Sequence, residues 1–356
     1  MAKLNTNTRL RRLVHLYEAR PDLPTGTLFH AGPPYRDTPP RAVLNAAALA
    51  AVIGEMAEDV PHARLLIERE DIKLAPAQDY GIAAPLAMVV SPGMWCFEVG
   101  DAQHTFYSPV GEGPPPALRF GSDSPSCITR ANVWCTDAAR NINPQVANLP
   151  TVERMMSAAL KEGDDCHAIT AAGNSLFVNS LGPIDKDMKV ALLGNAGFVL
   201  GLWMAWAGWK LRSANAAISA IGGNGVEFGW KLAGQDNWIT VTASTPIGRI
   251  VRRDDAQHAL GAIGDSAIVD ICGFGGQSLT SAPVLLEEWA GILPPDFDTR
   301  RDKITDRATG IVDLTAIQQS GLAPIINLAI LDRDGARGPI GRGTYIPPLS
   351  LFTTGE

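Results

Sequence analysis

The twenty residues from Val190 to Trp209, VALLGNAGFVLGLWMAWAGW, carry no charge and are closed at their two ends by Lys189 and Lys210. A run of that length matches a membrane span. It matches equally a helix at the centre of a large protein, where every face is apolar. Gly194, Asn195, Gly197, Gly201 and Gly208 interrupt it, and nothing else in the 356 residues resembles a second span. The segment therefore reads as a buried core helix of a chain with no membrane anchorage. A chain of this length exceeds a single growing core and reads as two or three packed units.

Hydrophobic residues make up 46% and charged residues 19%, which excludes a disordered chain. The formal net charge is -7, from 30 basic and 37 acidic residues, so no surplus of cations exists to neutralise a phosphate backbone and nucleic-acid binding is not expected. A few arginines acting locally still suit a small anion. The cysteines, Cys96, Cys127, Cys135, Cys166 and Cys272, are odd in number and form no CxxC pair, a pattern that fits reduced thiols in a cytoplasmic protein. The first twenty residues are basic and polar, without the apolar stretch of a secretory signal.

Two stretches dense in Pro and Gly, Thr25 to Arg41 and Ser108 to Pro125, are predicted as loops. Ala42 to Ala57, Thr151 to Lys161 and, in two pieces, Asp185 to Ser219 are predicted helices. Met88 to Val99 reads as two short strands or a strand and turn, Asn237 to Thr245 and Pro324 to Ile330 as strands, and Arg249 to Asp255 as a turn. Ile311 to Gln319 is a short helix or strand ending at Gly321. Helices and strands mix without regular βαβα alternation. The predicted class is α+β, with mixed sheets around a central buried helical region. Its expected units are an N-terminal α+β unit (1–135), a mainly helical unit (136–220) and a C-terminal α+β unit (221–356).

The densest chemical run is Gly163-Asp164-Asp165-Cys166-His167. If a helix starts there, an Asp caps it and the thiol sits at the positive end of the dipole, where its pKa is depressed, beside an imidazole able to move a proton. A plain cap followed by a buried Cys fits the same letters. Asn174 lies two turns further on, placed to share a face with His167. Gly222 to Gly229, GGNGVEFG, offers close-approaching backbone amides with Asn224 and Glu227 as polar groups, or alternatively a tight Asn-Gly hairpin. A third glycine-rich run, Gly264 to Ser278, sets Asp265 and Ser266 beside a turn. His30 is held on a stiff Pro-rich loop, while His15, His62, His104 and His258 carry no assignment. No HExxH, no metal-ligand spacing, no Walker loop and no GxSxG occurs, so no metal and no cofactor are expected.

Taken in order, LFHAGPP (28–34), APLAMVVSPGMWCFEV (84–99), EGDDCH followed by LF (162–177), GGNGVEFG followed by NWITVTA (222–243), GDSAIVDICGFGG (264–276), TGIVDLTAIQQSGLAPIINLAI (309–330) and GPIGRGTYIPPLSLF (338–352) resemble a bacterial family. That family contains the large subunit of the allantoin-pathway oxamate carbamoyltransferase. The resemblance runs from Leu28 to Phe352. Family members typically carry a nucleotide-binding-like domain before the HAGPP loop, whereas 27 residues precede Leu28 here, so the chain reads as a shortened form. Relatives commonly have Arg-Asn-Gly-Thr-Glu-Phe-Gly where this chain has Gly223-Asn224-Gly225-Val226-Glu227-Phe228-Gly229, which removes a cation.

The resemblance implies carbamoyl or amide C–N chemistry on a small ureido, oxamate-like or cyclic imide compound, foremost carbamoyl transfer. Hydrolysis of a related amide and a non-catalytic role in a complex are the alternatives. Catalysis would fall to His167, Cys166, Glu227 and His30. Substrate binding would fall to Asp164, Asn174, Gly223, Asn224, Gly225, Asp265 and Ser266, with Arg337 or Arg342 clamping a carboxylate. The amides of Gly222 to Gly225 would receive the oxyanion. All these groups are expected to converge on one small carbonyl compound. The implied partners are copies of the chain itself and an acyl-CoA-synthetase-like subunit.

Overall fold

The computed structural model describes residues 8–111 and 118–353, so Gly113 and Pro114 to Pro116 of the second predicted loop lie outside the described residues. Its architecture is α+β, with four small sheets packed around helices.

The helix Phe198–Ser213 is the centre of the molecule, and Phe198 to Leu211 are all buried. Its placement follows from two glycines seven residues apart, which share one face. A side chain at Gly201 would come within 2.6 Å of the Pro109 carbonyl, and one at Gly208 within 2.5 Å of the Phe106 ring. The helix therefore lies flush on an antiparallel sheet of Arg9–His15, Trp95–Gly100 and Thr105–Pro109, ordered with Trp95–Gly100 in the middle. Trp203, Trp206 and Trp209 on its other faces are buried, and each contributes a large apolar area to the same core.

The uncharged run departs from expectation in its first part. The chain bends by 73° between the helices Lys186–Leu193 and Phe198–Ser213, and no single helix among the described residues is long and apolar enough to cross a membrane. Val190 and Leu193 are exposed, at 63% and 42%. The glycines at 194 and 197 break the run, and before them only one side of the helix, with Met188 and Leu192, reaches the core.

The other sheets frame the functional region. Thr27–His30 pairs in parallel with Lys73–Pro76, joined by the helices Arg41–Ile53 and Val60–Glu68, and antiparallel with Val89–Val90. Thr27–His30 was expected to be loop; its four residues are all buried, and the flanking prolines bound the strand without entering it. A four-stranded sheet runs Ile263–Gly264, Ile218–Asn224, Glu227–Leu232, Trp238–Thr242. Ile218 and Ser219, read as the end of a helix, begin its second strand. A last sheet places Pro339–Tyr345 between Ile247–Ile250 and Ile326–Leu331. Arg249 and Ile250 thus belong to a strand, and the predicted turn begins after them.

Candidate functional site

The run Gly163 to Thr170 forms a loop, and the next helix, Ala171–Ser180, begins only after it. Asp164 caps that helix from a distance, accepting from the amides of Ala172 (3.0 Å) and Gly173 (2.7 Å). Asp165 holds the loop itself. Its carboxylate accepts from the amides of His167, Ala168 and Ile169 and from the Asn327 side chain at 2.6 Å.

Cys166 takes a left-handed backbone conformation, φ +67°, which is unfavourable for a residue with a side chain. Its thiol is turned inward, toward the Met156 carbonyl (3.5 Å), and fully buried. Burial raises its pKa, with the carboxylates of Asp165 and Asp164 adding to the effect. The depressed thiol expected at a helix start is thus replaced by an inert one, because no helix starts there and the charges acting on the thiol are carboxylates.

His167, the next residue, lines a cavity of about 880 Å³. Its Nδ1 is 2.7 Å from Asp270, which is wholly buried at the end of the short helix Ala267–Ile271. Asp270 also accepts from the amides of Gly276 (2.7 Å) and Asn327 (3.1 Å). A carboxylate only accepts here, so Nδ1 carries the proton and Nε2 keeps its lone pair. Burial opposes the charged imidazole, but the carboxylate of Asp270, with a smaller contribution from Asp165, outweighs it and His167 is raised above its ordinary pKa.

The cavity is cationic in an acidic protein. Arg119, Arg249 and Arg342 line it together with His167, against one carboxylate, Glu288. Thr170, Asn327 and the apolar Leu86, Leu200 and Leu328 complete much of the wall.

The other sequence-predicted groups are elsewhere. The hairpin reading holds at Asn224, whose side-chain oxygen accepts from the amides of Val226 (2.9 Å) and Glu227 (2.7 Å). Its side-chain NH₂ donates to the Pro33 carbonyl. Gly222 and Gly223 lie inside the ladder, and the Gly225 amide donates to Ala262. These amides form structure and leave no oxyanion hole. Gly32 explains the glycines: a side chain there would lie 2.3 Å from the backbone carbon of Gly223, so two backbones touch where a ligand was expected. Glu227 accepts from Thr240 at 3.0 Å and faces Arg36.

Asp265 is buried beneath this contact, accepting from the amides of Gly32 and Ala84 and from Gln78 at 2.6 Å. His30 packs on Tyr35, with Nδ1 2.9 Å from the Ala31 carbonyl and Nε2 buried without a partner. The Ser266 hydroxyl is buried likewise. Asn174 donates to Leu192 and ties two helices together, away from the His167 ring. Arg337 pairs with Asp332 and Asp255, while Arg342 alone of the two tail arginines reaches the cavity. The expected convergence therefore resolves into two clusters, one around Asp265 and one around His167 and Asp270.

The first cluster predicts a pH effect. Burial lowers His30 from 6.5 to about 4, so its contribution to stability is full above 6.5 and is lost as pH falls toward 4. Burial raises Asp265 from 3.8 to about 7, so its contribution is present below 3.8 and lost as pH rises through 7. Between about pH 4 and 6.5 the two slopes oppose each other. Asp265→Asn removes one, so on acidification the stability of the variant should fall more steeply than that of the wild type, by about 1.4 kcal/mol per pH unit. Chemical denaturation at several pH values measures this; an unchanged slope refutes it.

Sequence reasoning missed Asp270, Arg249, Glu288, Arg119 and Asn327. Asp270 was the most accessible to it, being an acidic residue inside the apolar run AIVDIC, where burial without a partner is costly.

Comparison with known proteins yields concordant findings. The family model described as oxamate carbamoyltransferase subunit AllG matches residues 72–266. The uncharacterised protein YahG of Escherichia coli (strain K12) is 26% identical, over 93% of this chain and 78% of its own length. The oxamate carbamoyltransferase subunit AllG of the same organism is 26% identical, over 92% of this chain and 87% of its own. A crystal structure of a conserved protein of unknown function from Enterococcus faecalis V583 superposes with a TM-score of 0.84 at 24% identity, covering 97% of this chain and 92% of that one.

Proposed function

The chain belongs to the family of oxamate carbamoyltransferase subunit AllG, and from that premise we propose that its cationic cavity performs carbamoyl transfer to a small oxamate-like amide as one subunit of a multi-protein enzyme. The observation that carries this reading is the Asp270–His167 pair, whose uncommitted imidazole nitrogen belongs to a residue lining the cavity with three arginines.

Transfer joins the amide nitrogen of the acceptor to the carbamoyl carbon. The nitrogen gives up a proton as the bond forms, and the leaving group departs with the electron pair of its own bond to that carbon. His167 Nε2 takes the proton, and Asp270 stabilises the imidazolium that results. Guanidinium groups in the wall face the oxyanion of the tetrahedral centre and the anionic ends of the reactants. The cavity volume of about 880 Å³ accommodates donor and acceptor together. With Cys166 turned away, transfer is direct and passes through no covalent enzyme intermediate.

Initial rates with carbamoyl phosphate and oxamate, for the chain together with the proteins that copurify with it, test the reading. Intersecting double-reciprocal lines are expected, and Cys166→Ala should keep the rate within about twofold, as for a residue outside the chemistry. Parallel lines, a Cys166-dependent rate, or no carbamoyl transfer at all would overturn it.

A further inference from the structure

Arg249 and Arg342 stand directly opposite each other on adjacent antiparallel strands, Ile247–Ile250 and Pro339–Tyr345. Directly opposed residues present their side chains on the same face of a sheet, and like charges placed so repel. One of the two is compensated. Glu288 takes Arg342 in a two-point ion pair, at 3.1 and 2.6 Å. The Arg249 side chain has neither a hydrogen bond nor an ion pair among the described residues, although it acts on Glu288 through space and lines the same cavity as His167. The arrangement leaves one net positive charge on a pair of guanidinium groups at the cavity wall, with Arg342 held in place by Glu288.

We infer that Arg249 and Arg342 form an oxyanion seat that takes the carboxylate or phosphate end of a reactant and sets its reacting amide or carbamoyl group beside His167. The seat rests on the proposed function for its position in the reaction, and on the sheet register and the charge count for its existence. Arg249 supplies the free donors. Arg342, already in use by Glu288, supplies charge and a fixed wall. A guanidinium matches either anion with two parallel donors.

Calorimetric titration of the full chain with inorganic phosphate and, separately, with oxamate tests this. At least one should bind, and its affinity should fall with ionic strength. Arg249→Gln should weaken it by about tenfold or more, and Arg249→Lys, which keeps the charge and loses the fork, should fall between. Arg249 is exposed, so both variants are expected to fold. Binding of oxamate alone identifies a carboxylate seat, and of phosphate alone a phosphoryl seat. No binding of either anion, or equal affinity in wild type and Arg249→Gln, overturns the inference. His167→Asn should keep the anion affinity; its loss would place the anion on the imidazole and also overturn the seat. Failure of the seat leaves the turnover defect of His167→Asn untouched, so the two readings fail separately.

Discussion

His167→Asn is expected to lower the rate of the proposed carbamoyl transfer by about 10² to 10⁴ fold, the range for removing a positioned general base, while the protein remains folded. The Asn side-chain NH₂ replaces Nδ1 as donor to Asp270, so the buried carboxylate keeps its partner and stability changes little. The lost function belongs to Nε2. Activity in the wild type should rise with pH as the imidazole loses its proton, through an apparent pKa above the ordinary histidine value, because Asp270 holds the charged form. Asp270→Asn removes that carboxylate and leaves burial opposed only by the smaller effect of Asp165, so the residual acid limb moves to lower pH. Steady-state rates across pH, with circular dichroism of each variant, decide the matter. Full activity in a folded His167→Asn, or an acid limb that stays in place in Asp270→Asn, would falsify the proton-transfer role.

Asp165→Ala should lose about 3 to 5 kcal/mol of stability, the scale for breaking a buried network of hydrogen bonds to a charged group. Three backbone amides and the Asn327 side chain lose their acceptor at once, in a loop where Asp165 is fully buried. The same loop sets the direction of His167, so turnover falls together with stability. Asp165→Asn should recover part of the stability, since one oxygen still accepts. Urea midpoints for the two variants, with turnover measured well below the transition, test the order wild type, Asn, Ala. An Ala variant within about 1 kcal/mol of wild type would mean that solvent replaces the lost acceptor.

Local signals made several elements legible in the sequence. Thr151 caps the helix Val152–Lys161 by accepting from Arg154, and Gly321 ends the helix Leu314–Ser320 in the left-handed conformation a glycine tolerates. The α+β class followed from the irregular order of such elements. The site was legible only in part. His167 and Arg342 reach the cavity, whereas His30, Asn224, Glu227 and Asp265 belong to a different cluster. Glycine runs were the misleading signal, because close packing of two backbones and close approach of a ligand demand the same residue. What escaped entirely depends on pairing across long separations. The opposition of Arg249 and Arg342 exists only in the register of two distant strands, and the partnership of His167 with Asp270 spans 103 positions.

Asp265 precedes the short helix Ala267–Ile271 and Asp270 lies within it, one taking donors from Gly32, Gln78 and Ala84, the other steering His167. Five residues of rigid rod thereby yoke the two clusters. On the proposed function, a packing defect introduced at the glycine crossing should tilt that rod and misalign His167, so that damage far from the reactants would be read out as slow chemistry.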